Sequence, residues 1–67
     1  MPQQNNYGVF KEGTDVWLKT ESPVEWGSVE DAIDNLSFPD AAAIATYLTA
    51  TGEGECRVGR PNDRHPA

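Results

Sequence analysis

The sequence predicts an α+β domain: a three-stranded antiparallel sheet, made of a hairpin and a C-terminal strand, with one short and one longer helix packed on one face. Three observations predict it. Two aromatic and β-branched runs, Tyr7-Gly8-Val9-Phe10-Lys11 and Val16-Trp17-Leu18-Lys19-Thr20, flank a short connection that contains glycine. Apolar residues then recur at helical spacing in two segments, 29–36 and 41–51. Alternation returns in Glu55-Cys56-Arg57-Val58-Gly59, just before Pro61.

The hairpin rests on the connection Glu12-Gly13-Thr14-Asp15, whose length and glycine suit an ordinary hairpin loop. In its second strand Val16, Leu18 and Thr20 point one way, and Trp17 and Lys19 the other. That places Trp17 on the outer face or under a loop. Residues 21–27 read as a connector broken at Pro23.

Ser28 has the chemistry of a helix N-cap, with Asp31 three residues on. Val29, Ala32, Ile33 and Leu36 then build one apolar face, which predicts a helix of about two turns. Residues 36–39 admit two readings, an extended link or a second cap in which Ser37 precedes Asp40. The clearest helix covers residues 41–51, with Ala41, Ile44, Ala45 and Leu48 inward, Tyr47 flanking, and Gly52 as the exit. Cys56 and Val58 share one side of the last strand and Arg57 takes the other. The expected core is Val9 or Phe10, Val16, Leu18, Val29, Ile33, Leu36, Phe38, Ile44, Leu48 and Val58, with Trp26 closing one end. Residues 1–6 read as a disordered lead-in, 7–61 as one domain and 62–67 as a flexible tail.

With 67 residues the chain has room for one small domain and a thin core. Leu, Ile, Val and Phe number only 12, a share that by itself leans towards disorder, but two Trp and seven Ala add apolar surface in orderly patterns. The single cysteine, Cys56, permits no intramolecular disulfide, which a secreted domain this small ordinarily needs. A cytoplasmic location is therefore expected. No basic region followed by an apolar run marks a signal peptide, and no stretch is apolar enough to span a membrane.

Eleven acids against five bases give a net charge of −6, unevenly spread. Residues 20–56 hold eight acids and neither Lys nor Arg. Such a centre repels phosphate, so direct nucleic-acid binding is not expected. The same field attracts a basic protein surface, or simply keeps the chain soluble.

Enzyme chemistry finds little to work with. Glu30 and Asp34 lie four apart on the predicted helix, where two carboxylates beside a Ser cap are most simply solvated. The one histidine, His65, sits in the tail, so no Ser-His-Asp or Cys-His arrangement can be held rigid. Cys56 reads as a small core hydrophobe, and neither zinc nor calcium ligand spacing is present. Gly52-Glu53-Gly54 places an acid where a phosphate cradle needs none. The expectation is no enzyme, no cofactor and no metal.

Binding fits better. The candidate partner-binding residues are Glu25, Glu30, Asp31, Asp34 and Asp40, with Trp17 and Tyr47 as aromatic anchors and Arg57 on an edge strand. Trp17 is as much core filler as anchor, and for a residue placed like Arg57 the edge-guard role is the more common one. The order of elements over residues 7–61, with Asp40-Ala41-Ala42-Ala43-Ile44-Ala45 and the closing Arg57-Val58-Gly59-Arg60-Pro61, resembles small acidic accessory proteins encoded by bacteriophages. Some of these are similar in size to inhibitors that dock on host RNA polymerase or on defence complexes through acidic faces. The resemblance implies a non-enzymatic protein that docks on the basic surface of a host protein complex, in the host cytoplasm, as a monomer or weak dimer. The alternative is a small structural or assembly component that self-associates through its sheet edge and aromatic surface.

Overall fold

The computed structural model describes residues 6–61. The expectations for residues 1–5 and for 62–67, His65 included, lie outside the described residues. The strands are β1 (Gly8–Lys11), β2 (Trp17–Glu21), β3 (Val24–Gly27) and β4 (Cys56–Gly59), and between β3 and β4 lies the α-helix α1 (Phe38–Ala50). The four strands form an antiparallel sheet in the order β3-β2-β1-β4.

The class is α+β, but among the described residues the predicted count is corrected from three strands and two helices to four strands and one helix with a 3-10 turn. The extra strand is β3, folded back on β2 by a turn at Ser22-Pro23, whose peptide bond is cis. Proline sits in the turn itself, so it starts a strand instead of ending one. Leu18 pairs with Trp26 and Glu21 with Val24, with a register shift between Leu18 and Thr20.

The predicted helix at 29–36 is replaced by a single 3-10 turn, Val29–Asp31, after which Ala32 is extended (φ −70°, ψ 147°). Competition for backbone hydrogen bonds explains the difference. The Ile33 N–H donates to the Leu18 carbonyl at 3.0 Å, and Tyr7 and Leu36 exchange bonds at 2.9 and 3.2 Å. β1 and β2 share one register pair, Phe10↔Trp17, and the chain at 33–36 bonds to both where they part. Residues spaced for a helix face thus supply an extended wedge whose apolar side chains still reach the core. Ser37 does cap α1, its Oγ accepting from the Asp40 N–H at 3.3 Å, with Pro39 in the first turn.

α1 lies across β1 and β4. Ala41, Ala45 and Leu48 of α1 bury against Val9, Leu18 and Cys56. The small alanines let the helix approach the sheet closely.

The opposite face of the sheet is also covered. Phe10 and Trp17 are register partners with ring centroids 4.9 Å apart. Their floor is the glycine pair Gly8↔Gly59. A Cβ on Gly59 would stand 3.0 Å from both aromatic rings, and one on Gly8 would collide with the Ile33 carbonyl and meet the Pro61 ring at 3.1 Å. Trp17, at 0 % exposure, therefore forms a second small core. Gly59→Ala is expected to cost about 1–3 kcal/mol, because a ring packed this tightly cannot step aside. Gly8→Ala should cost more, since backbone blocks it, and urea unfolding of both variants checks the order.

Phe38, expected in the core, is 53 % exposed. As the first helical residue it turns towards Tyr7, edge to face at 5.4 Å, and Arg60 lies over the other ring's π-face, 5.7 Å from the Tyr7 centroid. Val16 and Val29 are half-buried, not core.

Candidate functional site

The base-free stretch runs from the end of β2 through β3, the 3-10 turn, the wedge and α1 to the first residue of β4. Of its eight carboxylates, Glu21, Glu25, Glu30, Asp31, Asp34 and Asp40 are exposed, while Glu53 is half-buried against Trp26 and Glu55 pairs with Arg57. Each has a local reason. Glu21 ends β2 at the turn, Glu25 belongs to an edge strand, Glu30 and Asp31 to a turn with no buried residue, and Asp34 to the exposed flank of the wedge. Asp40 sits in the first turn of α1, where negative charge complements the helix dipole.

Gly27 brings two of these elements together. A Cβ there would lie 3.7 Å from the Asp31 Cβ and 3.5 Å from the Lys19 side chain, so the 3-10 turn packs beside the end of β3. Glu25, two residues before Gly27 and on the same face of β3, therefore shares a side of the molecule with Asp31.

The other candidates do not join them. Trp17 is withdrawn from the surface: alternation correctly turns it away from α1, but the face it turns to is closed. Tyr47, 65 % exposed, stands on α1. Arg57 lies on β4, at the opposite edge of the sheet from β3, three strand spacings or about 14 Å away. It is ion-paired with Glu12 and, at 3.3 Å, with Glu55. Both acids are exposed, so these pairs add little stability. The Glu12 partner joins a hairpin loop to a strand over 40 positions later, which no local pattern signals.

A further constellation escaped the sequence. Lys11 Nζ lies over the Trp26 ring at 4.6 Å, and the Trp26 Nε1–H donates to Glu53 Oε1 at 3.2 Å. It ties the sheet to the exit of α1 and satisfies a half-buried indole.

Between α1 and β4 runs an open groove of about 420 Å³, lined by Ala45, Thr49 and Ala50 on one side and residues 55–57 on the other. Cys56 lies in it as a free, buried thiol whose Sγ donates to the Gly54 carbonyl at 3.4 Å. Burial pushes this thiol above its ordinary value, outweighing the opposing Thr49 hydrogen bond and Lys11 charge, while Glu53 adds to the rise. The neutral thiol is thus the folded form. Because its pKa is raised on folding, its contribution is complete below the unfolded thiol's pKa, near 8.5, and is lost as pH rises beyond it. Iodoacetamide labelling at pH 8 is expected to run slower in the folded protein than in urea, since burial both shields the sulfur and disfavours the thiolate that is the nucleophile.

Among the described residues no group of three His, Cys, Asp or Glu side chains converges to hold a metal ion. No described helix is long and apolar enough to cross a membrane. Comparison with protein-family models, curated proteins and solved structures found no match to this chain.

Proposed function

We propose that this is a non-enzymatic binding protein that docks on a basic protein surface through the carboxylates of residues 21–40. One observation carries the reading: Glu21, Glu25, Glu30, Asp31, Asp34 and Asp40 are all exposed to solvent. A field left open to solvent steers a cationic partner and speeds encounter. The partner class follows from the resemblance to phage accessory proteins: a host protein complex, reached in the host cytoplasm, whose basic groove otherwise receives nucleic acid.

Self-association through a sheet edge has less support. At one edge the Thr49 hydroxyl already accepts from the Cys56 N–H, at 3.0 Å. At the other, Glu21 and Glu25 would meet like charge in a second copy.

The test is affinity capture from a lysate of the host at low and at high salt, with light scattering on the purified protein. A protein retained at about 50 mM salt and released at about 500 mM, where screening shortens to a few ångströms, supports the reading. Retention indifferent to salt, or a stable oligomer at micromolar concentration, contradicts it.

A further inference from the structure

The two edges of the sheet are finished differently. On β4 the Cys56 N–H is occupied by Thr49 Oγ1, which itself donates to the Ala45 carbonyl at 2.8 Å, so α1 closes part of that edge. β3 is the terminal strand at the other end. Among the described residues, no backbone hydrogen bond reaches Val24, Glu25, Trp26 or Gly27 from the side away from β2. An edge of free N–H and C=O groups is a template for another strand.

Charge decides what that strand can be. Glu25 lies within β3, Glu21 is the register partner of Val24, and Asp31 stands beside Gly27. Two cations stand near the strand: Lys19 runs along Gly27 on the side of Asp31, and Lys11 Nζ lies over the Trp26 ring. Like charge discourages a second copy, whereas an extended segment bearing Lys or Arg meets opposite charge along the rail. Val24 is half-buried, leaving apolar surface for a side chain of an added strand, whereas the Trp26 ring is already engaged by Lys11 and Glu53.

We propose that the outer edge of β3 is a strand-pairing site for an extended basic segment of the protein partner. The inference rests on the binding function proposed above and specifies how the partner is held. Four residues of β3 offer about 13 Å of edge, enough for three or four partner residues. Backbone pairing supplies the affinity there, and the flanking carboxylates supply the selectivity.

The experiment uses the full chain, isotope-labelled, and a capped hexapeptide of alternating lysine and valine as probe. A second probe is the same peptide methylated at every backbone nitrogen, which keeps the charges but cannot donate to an edge. The expected result is saturable binding of the first peptide at low salt, with slowed amide exchange within residues 24–27. Backbone methylation should weaken binding at least about tenfold, as the loss of two strand hydrogen bonds implies. Glu25→Lys should weaken it too, with the fold unchanged by circular dichroism. Equal binding of both peptides, with shifts inside residues 21–40, overturns strand pairing and leaves the charge reading standing. Protection appearing on β4 instead overturns the choice of edge. If neither peptide binds, the edge inference falls, and the charge reading is then decided by capture from lysate alone.

Discussion

Replacing Trp17 with alanine is expected to unfold the protein at room temperature. Trp17 is the largest fully buried side chain and sits outside the helix-side core, on a face where only a few groups share the burial. Removing a buried Trp costs about 3–5 kcal/mol, and little relaxation can fill the gap because the floor is glycine. A domain of this size has a total stability of about 3–10 kcal/mol, so one substitution takes most of it. Tyr47→Ala, by contrast, should change stability by less than about 0.5 kcal/mol, because that ring is largely in solvent. Urea melts followed by far-ultraviolet circular dichroism separate the two. A cooperative melt for Trp17→Ala displaced by less than about 1 kcal/mol would show that the second core is not needed.

Changing Glu30, Asp31 and Asp34 together to lysine should weaken association with the captured partner on the order of a hundredfold, mainly through slower encounter. Each change adds two charges, so the net charge moves from −6 by +6 to zero. All three side chains are exposed and none is buried in the fold, so the variant should keep its melting midpoint within a few degrees. Net charge alone is controlled by a second triple variant, Glu12, Asp15 and Glu55 to lysine, which also reaches zero. These positions lie in the hairpin loop and just before β4. If position matters, only the first variant loses the partner. Equal loss in both would reduce the acidic surface to a bulk charge effect.

The parts of the fold that were legible in the sequence are those fixed by local chemistry. Alternation in residues 7–11, 16–20 and 55–59 marks β1, β2 and β4 to within a residue or two. Ser37, Pro39 and Gly52 bracket α1. The parts that were not legible are decided by distant partners. Val29, Ala32, Ile33 and Leu36 carry the helical period, yet the Leu18 carbonyl and Tyr7 claim the backbone of Ile33 and Leu36. Nothing local distinguishes an apolar stripe that coils from one that is drawn out as a wedge.

Pro23 misled for a related reason. A proline ends a strand or turns a hairpin with equal ease, and only the pairing of Val24 and Trp26 with β2 chooses between them. Trp17 was placed on the correct side of its strand, but its burial depends on Gly8 and Gly59 from two other strands. The acidic candidates were legible because charge keeps them at the surface in any fold. Their separation from Tyr47 and Arg57 was not, since strand order sets it.

The most direct measurement is amide chemical-shift mapping of the labelled protein against its captured partner at low salt. The account predicts that perturbed amides cluster in residues 21–40 and that their shifts fade as salt is raised. Perturbations confined to α1 and β4, along the groove beside Cys56, would contradict it.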